Sequence, residues 1–398
     1  MPKKQTQIKI LGVFAYFYPH RGGSQKYAEE LYVRLIKDYS NILVDILAYN
    51  TDGAPAFERY RGMSIYRIPC FNLIYSRFSL PNPFSLIKFL YKLRNNRYTH
   101  VNTHIRFFDP TWWVWAYAKM IGAKSIFTGH VSSHPVYKNK YVQYAAYLVD
   151  KTVAQFSLNF YDYLTFTNKS AIDFFKKSLK IKKRPYLVYG GVDTQFFVPS
   201  KKEVRFIPVL NKKIAKGAII ITFVGRVTWT KGVTYLYNAI KDFYKQYRGK
   251  KEVYFIIGGP GDLKNDLIAK AKIDGLSKKV LFTGNLDYTQ VRDLYSCSDI
   301  FINPSHHNEG FPNTILEAGS SGCFVIATDN AGTREIIKNG KTGLLVTQKD
   351  SKAYTRALLW SLENRVKRLL MAKNLRDKLL LNHDWGVIAK EFYKILAK

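Results

Sequence analysis

The sequence predicts an α/β protein made of two doubly wound parallel-sheet domains, and three observations carry that reading. Strand-like and helix-like stretches alternate from one end to the other, the pattern of parallel sheets covered by helices on both faces. A chain of 398 residues is too long for one ordinary core. A basic, proline-containing stretch of weak periodicity, from Val198-Pro199-Ser200-Lys201-Lys202 to Lys216-Gly217, divides the pattern in two.

In the first half the strand-like runs are Ile8–Phe14, Ile42–Ala48, Ser64–Ile68, His100–Thr103, Ser125–Thr128, Leu164–Thr167 and Tyr186–Val188, with helices such as Ser24–Lys37 and Phe84–Leu93 between them. In the second half they are Ala218–Val224, Val253–Ile257, Val280–Thr283, Ile300–Asn303, Phe324–Ala327 and Gly343–Val346. From about Ser351 onward the pattern is wholly helical. The expected organisation is a first domain over residues 1–199, a linker and hinge over 200–217, a second domain over 218–378 and a terminal helical segment over 379–398. Two such domains facing each other across a cleft take ligands at the carboxyl ends of their strands, so the loops after strands should carry the chemistry.

Composition narrows the class. Hydrophobic residues make up 47%, enough for each domain to bury a core. Cys70, Cys297 and Cys323 have no paired or metal-type spacing, which points to a reducing cytoplasm without a disulfide framework. The formal net charge is +33. Residues 1–200 hold 28 Lys and Arg against 11 Asp and Glu, and the remainder 34 against 18, so the excess is spread and not gathered in a tail. No helix-turn-helix, zinc-finger or RNP-type signature accompanies it, so a nucleic-acid partner is not expected. An anionic membrane surface or anionic substrates are the expected partners. Met1-Pro2-Lys3-Lys4-Gln5 leads straight into a strand with no signal peptide, and no run of about twenty apolar residues exists. Trp112-Trp113-Val114-Trp115-Ala116-Tyr117-Ala118, stopped by Lys119, reads either as an aromatic face at a lipid interface or as a helix buried on a sheet.

The loops after strands hold the candidate site residues. Beyond Ile300–Asn303, the segment Asn308-Glu309-Gly310-Phe311-Pro312-Asn313-Thr314-Ile315-Leu316-Glu317 leads into a helix, with carboxylates on either side of its start. A helix N-terminus offers unpaired N–H groups to a phosphate, and the flanking acids can accept hydrogen bonds from sugar or ribose hydroxyls. After the first strand, Arg21-Gly22-Gly23-Ser24 opens a helix; a double glycine there either lets the backbone approach a phosphate, with positive φ tolerated, or makes a tight turn for packing. Gly225-Arg226-Val227-Thr228-Trp229-Thr230-Lys231-Gly232 places a planar and a point cation together, as suits a diphosphate, although two solvated cations in so basic a chain would look the same; the strand–loop–helix context favours the diphosphate. Gly258-Gly259-Pro260-Gly261-Asp262 and Gly284-Asn285-Leu286 could let a base or ribose lie against the backbone, although plain turns would look the same.

Three histidines, His100, His104 and His130, lie at strand ends of the first half; His130 is expected to project toward the cleft, where it either bonds a sugar or is a core or loop histidine satisfied by backbone. His306 and His307 are expected in the loop before Glu309. No metal-type cluster, nucleophile elbow or P-loop is present.

Together these elements resemble family 4 of the GT-B glycosyltransferases, which are retaining and use nucleotide sugars. The resemblance covers nearly the whole chain. It is carried by Gly22-Gly23, Tyr189-Gly190-Gly191-Val192-Asp193-Thr194-Gln195-Phe196-Phe197, Val224-Gly225-Arg226 with Lys231-Gly232, and Asn303-Pro304-Ser305. It continues through the Glu309/Glu317 pair and Gly332-Thr333-Arg334-Glu335-Ile336-Ile337, to Gly340-Lys341-Thr342-Gly343-Leu344-Leu345-Val346. It implies a GT-B fold of two Rossmann-like domains, the first binding the acceptor and the second a UDP- or GDP-sugar donor, with a terminal helix crossing back to the first. By the same resemblance Arg226 and Lys231 hold the diphosphate and Glu317 the ribose. Glu309 meets the donor sugar, and the segment Gly310-Phe311-Pro312-Asn313 completes the anion site with the N–H groups of its non-proline residues. Gly22 and Gly23 close from the first domain, and His130 lies near the anomeric carbon. No metal or other cofactor is implied. The acceptor is a glycan or glycolipid, and the enzyme a cytoplasmic one, peripheral at the inner face of the plasma membrane. Two departures from the family are Ser24-Gln25, where many relatives carry an acidic residue, and the altered glycine loop at Gly258–Gly261. A non-catalytic nucleotide-sugar binding relative and a sugar-nucleotide epimerase are the alternatives.

Overall fold

The computed structural model describes residues 6–20, 22–74, 78–134, 140–199, 205–207, 210–215, 217–306 and 310–398. The chain divides into two compact units, one formed by Met1–Gly190 with Trp385–Lys398 and the other by Gly191–Asp384.

The first unit contains β1 (Ile8–Phe14), α1 (Gly23–Asp38), β2 (Ile42–Tyr49), β3 (Phe57–Tyr60), β4 (Met63–Ile68), β5 (Cys70–Ile74), β6 (Phe78–Pro81), α2 (Pro83–Leu93), β7 (His100–His104), α3 (Pro110–Met120), β8 (Lys124–Gly129), α4 (Lys140–Val149), α5 (Gln155–Leu158), β9 (Tyr163–Phe166), α6 (Lys169–Ser178) and β10 (Pro185–Leu187). Eight strands form one sheet in the order β10-β9-β8-β7-β1-β2-β4-β3, parallel except for the β3–β4 pair. β1 lies at its centre and is buried on both faces, which explains its nearly unbroken apolar run. Its side chains alternate between two cores. Ile8, Ile10 and Phe14 join Tyr27, Leu31, Tyr32 and Leu35 of α1, while Leu11 and Val13 join Val114 and Tyr117 of α3 on the opposite face.

The first core is completed by the last helix of the chain. Trp385, Ile388, Phe392 and Ile395 are buried there, with Trp385 against Tyr27 and the Tyr39 and Tyr393 rings stacked at 3.9 Å. The aromatic run of α3 resolves into a helix packed on β7 and β8. Its Trp112, Trp113 and Trp115 indole N–H groups all bond within the unit, to Arg106 O, Asp109 Oδ2 and Trp112 O. Of the two readings of this segment, the packed helix is the one observed.

The second unit contains β11 (Arg205–Ile207), β12 (Lys212–Ile214), β13 (Ile219–Val224), α7 (Val233–Gln246), β14 (Val253–Gly258), α8 (Lys264–Ile273), β15 (Val280–Gly284), α9 (Tyr288–Ser296), β16 (Ile300–Asn303), α10 (Asn313–Ser320), β17 (Phe324–Thr328), α11 (Ala331–Ile336), β18 (Leu344–Val346), α12 (Ser351–Glu363) and α13 (Arg365–Asn382); the terminal helix of the first unit is α14 (Trp385–Leu396). Six parallel strands run in the order β15-β14-β13-β16-β17-β18. One face carries the core of α7, α8 and α12, and the other that of α10 and α13.

Two expectations change here. The units part at Gly190/Gly191, not at residue 199. Val192 and Phe197 are buried in the second unit, Val192 N donates to His383 O at 2.8 Å and Thr194 Oγ1 to Asp384 Oδ2 at 2.6 Å. Residues 379–384 stay with the second unit because Leu379 is fully buried in its core. Described parts of the stretch expected as a linker also belong to the second unit: β11 and β12 pair antiparallel, and Ile207 and Ile214 are buried with Ile220 and Ile256. Two apolar anchors among basic residues were enough to tie it down. Among the described residues no helix is long and apolar enough to cross a membrane.

Candidate active site

In the second unit β13 and β16 are neighbours, yet the chain runs outward from them in opposite directions, to β14 and β15 on one side and to β17 and β18 on the other. Such a reversal opens a crevice at the carboxyl ends of the two strands, where ligands of doubly wound sheets bind. The two loops leaving these strands are locked together. Gly232 has φ +70°, and a Cβ there would lie 2.0 Å from the Pro304 carbonyl oxygen, so only glycine fits. Ser305 Oγ donates to Thr230 O at 3.4 Å, and the His306 ring stands edge-on to Trp229 at 4.3 Å.

On this frame Arg226 is exposed and Lys231 half-buried. Val227 between them is buried, its N–H donating to Pro260 O at 2.7 Å, which pins the loop that bears both cations. α10 begins at Asn313 just beyond β16, with Pro312 as its N-cap and no side-chain cap bond from that residue. The positive end of its dipole faces the carboxyl-end side of the sheet, in the segment that follows β16. Glu317, one turn in, is 8% exposed.

The glycines after β14 have a packing cause, the structural one of the two readings. A Cβ at Gly259 would lie 2.0 Å from Gly225 O, and one at Gly261 2.2 Å from Val227 O. They allow two loops to pack, which accounts for them without a base or ribose.

The first unit repeats the reversal at β1 and β7. A pocket there is lined by Tyr16, Ser24, Gln25, His104, Ile105 and Phe108. Ile105 has φ +66°, unfavourable for a β-branched residue. α1 starts at Gly23 with Gly22 as N-cap. Neither glycine needs positive φ or close packing. Gly22 is extended at φ −167°, Gly23 is not among the positive-φ glycines, a Cβ on Gly23 would meet nothing within 4 Å, and one on Gly22 only the flexible Gln25 side chain. What the pair does provide is an uncovered backbone at a helix start.

His130, just past β8, bonds through Nε2 to His104 Nδ1 at 3.0 Å, and its ring meets Tyr27 edge-on at 5.0 Å. Burial lowers its pKa to about 3. Burial, then the neighbouring His130, takes His104 well below the usual imidazole range, and burial takes His100 to about 4.

Comparison with known proteins decides the family. Residues 21–196 match the description Glycosyltransferase Family 4, and residues 210–378 match Glycosyl transferases group 1. An uncharacterized glycosyltransferase of Methanocaldococcus jannaschii is 26% identical over 98% of this chain and 99% of its own length. The chain belongs to the GT-B glycosyltransferases of family 4. Another relative of this glycosyltransferase is the N,N'-diacetylbacillosaminyl-diphospho-undecaprenol alpha-1,3-N-acetylgalactosaminyltransferase of Campylobacter jejuni, 29% identical over 62% of this chain and 63% of that one. Among solved structures, Anabaena HepE in complex with UDP superposes with a TM-score of 0.73 at 16% identity, over 98% of this chain and 100% of that one.

Of the residues expected in the glycosyltransferase's site, Arg226, Lys231, Gly310, Phe311, Pro312, Asn313 and Glu317 lie in the second unit, and Gly22, Gly23 and His130 in the first. Glu309 and His307 fall outside the described residues. Among the described residues no group of three or more His, Cys, Asp or Glu is placed to hold a metal ion. Sequence reasoning missed Asn102 and Tyr32, and gave His104 no role. The alternation Asn102-x-His104 on a buried strand was the available signal.

Proposed function

We propose that this glycosyltransferase moves a sugar from a UDP- or GDP-sugar to a lipid-linked or surface-polysaccharide glycan, with retention of anomeric configuration. The observation that carries the reading is the Arg226/Lys231 loop, tied through Gly232 to the β16 loop that leads into α10. That combination suits a diphosphate, whose charge grows as the glycosidic bond breaks. Arg226 and Lys231 neutralise it with the N–H groups of Gly310–Asn313, in place of a catalytic metal. Glu317 accepts hydrogen bonds from the ribose, Glu309 from the donor sugar. Gly22 and Gly23 offer backbone N–H groups, and His130 contacts the sugar. The C1–O bond to the phosphate breaks while the acceptor oxygen bonds C1 from the same face. The acceptor's proton passes to the departing phosphate oxygen, and no protein nucleophile is assigned.

The UDP complex of Anabaena HepE and the undecaprenol-linked acceptor in the Campylobacter relative's name support this donor and acceptor class. So does the surface of the first unit. On α2, Phe84 and Ile87 are 82% and 67% exposed beside the exposed Lys88, Lys92 and Arg94. On α4 and α5, Tyr144, Leu148 and Phe156 are exposed, and Tyr144 shares a surface depression with the exposed Lys140. An apolar face rimmed by cations suits an anionic bilayer, and on this reading the enzyme works at the cytoplasmic membrane surface.

Incubation with UDP-glucose, UDP-galactose, UDP-N-acetylglucosamine and GDP-mannose, with and without EDTA, tests the donor. Release of nucleoside diphosphate from one of them, unchanged by EDTA, is expected. Binding without release from any would favour a non-catalytic binder. Flotation with anionic liposomes at low salt tests the surface, and absence of binding would remove it.

A further inference from the structure

β7 and β8 pair with Asn102 opposite Ile126 and His104 opposite Thr128. Side chains two apart share a face of a strand, so Asn102, His104 and Thr128 project from one face, and α1 covers that face with Tyr27 and Tyr32. His130 continues the line just past the end of β8.

The hydrogen bonds along this line have one direction. Asn102 Nδ2 donates to Ile126 O at 3.0 Å and to Thr128 Oγ1 at 3.2 Å, which turns its Oδ1 toward Tyr32 Oη at 2.5 Å and His104 Nε2 at 2.9 Å. An amide oxygen only accepts, so His104 carries its proton on Nε2 and presents Nδ1 as an acceptor. That Nδ1 is 3.0 Å from His130 Nε2, so His130 carries its proton on Nε2 as well. Burial keeps both rings neutral. Asn168 Nδ2 donates to the His130 carbonyl at 3.2 Å and holds its backbone. Among the described residues this line of donors ends at His130, whose Nδ1 keeps a lone pair as acceptor.

We propose that Tyr32, Asn102 and His104 are positioning residues that fix His130 as the Nε2–H tautomer, so that its Nδ1 accepts a hydrogen bond from a hydroxyl of the donor sugar. This rests on the assignment of His130 to the sugar under Proposed function, and adds which nitrogen acts and what sets it. A neutral acceptor suits a hydroxyl, and a carboxylate in that place would be desolvated with no donor facing it.

Long-range proton–nitrogen NMR of histidine-labelled protein at neutral pH, assigned with His104→Gln and His130→Gln variants, reads the tautomers directly and needs no donor. Both rings are expected neutral with Nε2 protonated. A charged His130, or one protonated on Nδ1, overturns the proposal whatever the protein's activity. Kinetics with the most active nucleotide sugar of the panel supply the second arm. His104→Leu, which removes the acceptor for His130, is expected to lower kcat about tenfold to a hundredfold, the size of losing an outer partner of a functional histidine, with donor KM nearly unchanged. His104→Gln, which can accept from His130 and donate to Asn102, is expected to recover most of that rate. Asn102→Asp favours a charged His104 that donates from Nδ1, reverses the tautomer of His130, and should lower kcat with a shifted pH profile. Equal losses in folded His104→Leu and His104→Gln would show a merely structural role and overturn the relay. A fully active His130→Ala enzyme would instead remove the assignment of His130 to the sugar, while the NMR reading of the tautomers would stand.

Discussion

The two strand-reversal points of this molecule are built from opposite materials. In the second unit the loops at β13 and β16 carry an exposed Arg226, a half-buried Lys231 and a helix N-terminus, and are held by glycines that let backbones touch. In the first unit the matching place between β1 and β7 is lined by aromatics and a buried His104. Behind it runs a neutral chain of hydrogen bonds from Tyr32 to His130. A cationic site manages a charge that changes during reaction, whereas a buried neutral network sets direction and protonation state. One fold therefore offers two answers to two ligand chemistries, and substitutions should separate them.

The sharpest break falls on the glycines. Gly232→Ala combines positive φ with a backbone collision, and is expected to cost at least about 3 kcal/mol of second-unit stability in urea unfolding. Gly23→Ala meets open space at a helix start, so stability should stay within about 0.5 kcal/mol while any phosphate contact at its N–H weakens. Equal destabilisation by the two would refute the contrast.

Next come the cations. Arg226→Ala and Lys231→Ala should each weaken UDP binding in calorimetry by about tenfold to a hundredfold, since hydrogen bonds to charged groups contribute roughly 1.5–3 kcal/mol. Stability should hold within about 0.5 kcal/mol for Arg226→Ala, because its side chain is exposed. Between the acids, Glu309→Gln should mainly slow transfer and Glu317→Gln mainly weaken donor binding. Equal effects on affinity with no loss of rate would show that this division is wrong.

The smallest effect is graded with pH and belongs to the first unit. His100 and His130 titrate lower folded, at about 4 and about 3, than an unfolded histidine at about 6.5. Between those limits the unfolded chain binds more protons, so stability is fully present above about 6.5 and falls as pH drops toward 4. Urea unfolding across this range should show the slope in the parent and a shallower one in His100→Asn. A parent with flat stability would contradict the burial of these rings.

Much of this was legible in the chain. The central strands read clearly because both faces of each sheet are covered, leaving long apolar runs such as Ile8–Phe14 and Phe324–Thr328. The short antiparallel pieces did not read. β11 and β12 are three residues each and anchored by Ile207 and Ile214, too few for a period to emerge from the basic residues around them. The cationic loop could be located from its place after a strand. The reason for Gly259 and Gly261 could not, because it depends on a backbone distant in sequence coming within reach. Nor could the direction of the Asn102–His104–His130 chain, which exists only once β7 and β8 are in register.

The central claim is that the Arg226/Lys231 loop holds the diphosphate of a sugar donor. Calorimetric titration of UDP and GDP into the parent and the Arg226→Ala/Lys231→Ala double variant tests it most directly. Saturable binding of one nucleotide by the parent, lost in a double variant that unfolds at the same urea concentration, is the predicted result. Undiminished binding by the folded double variant would contradict it.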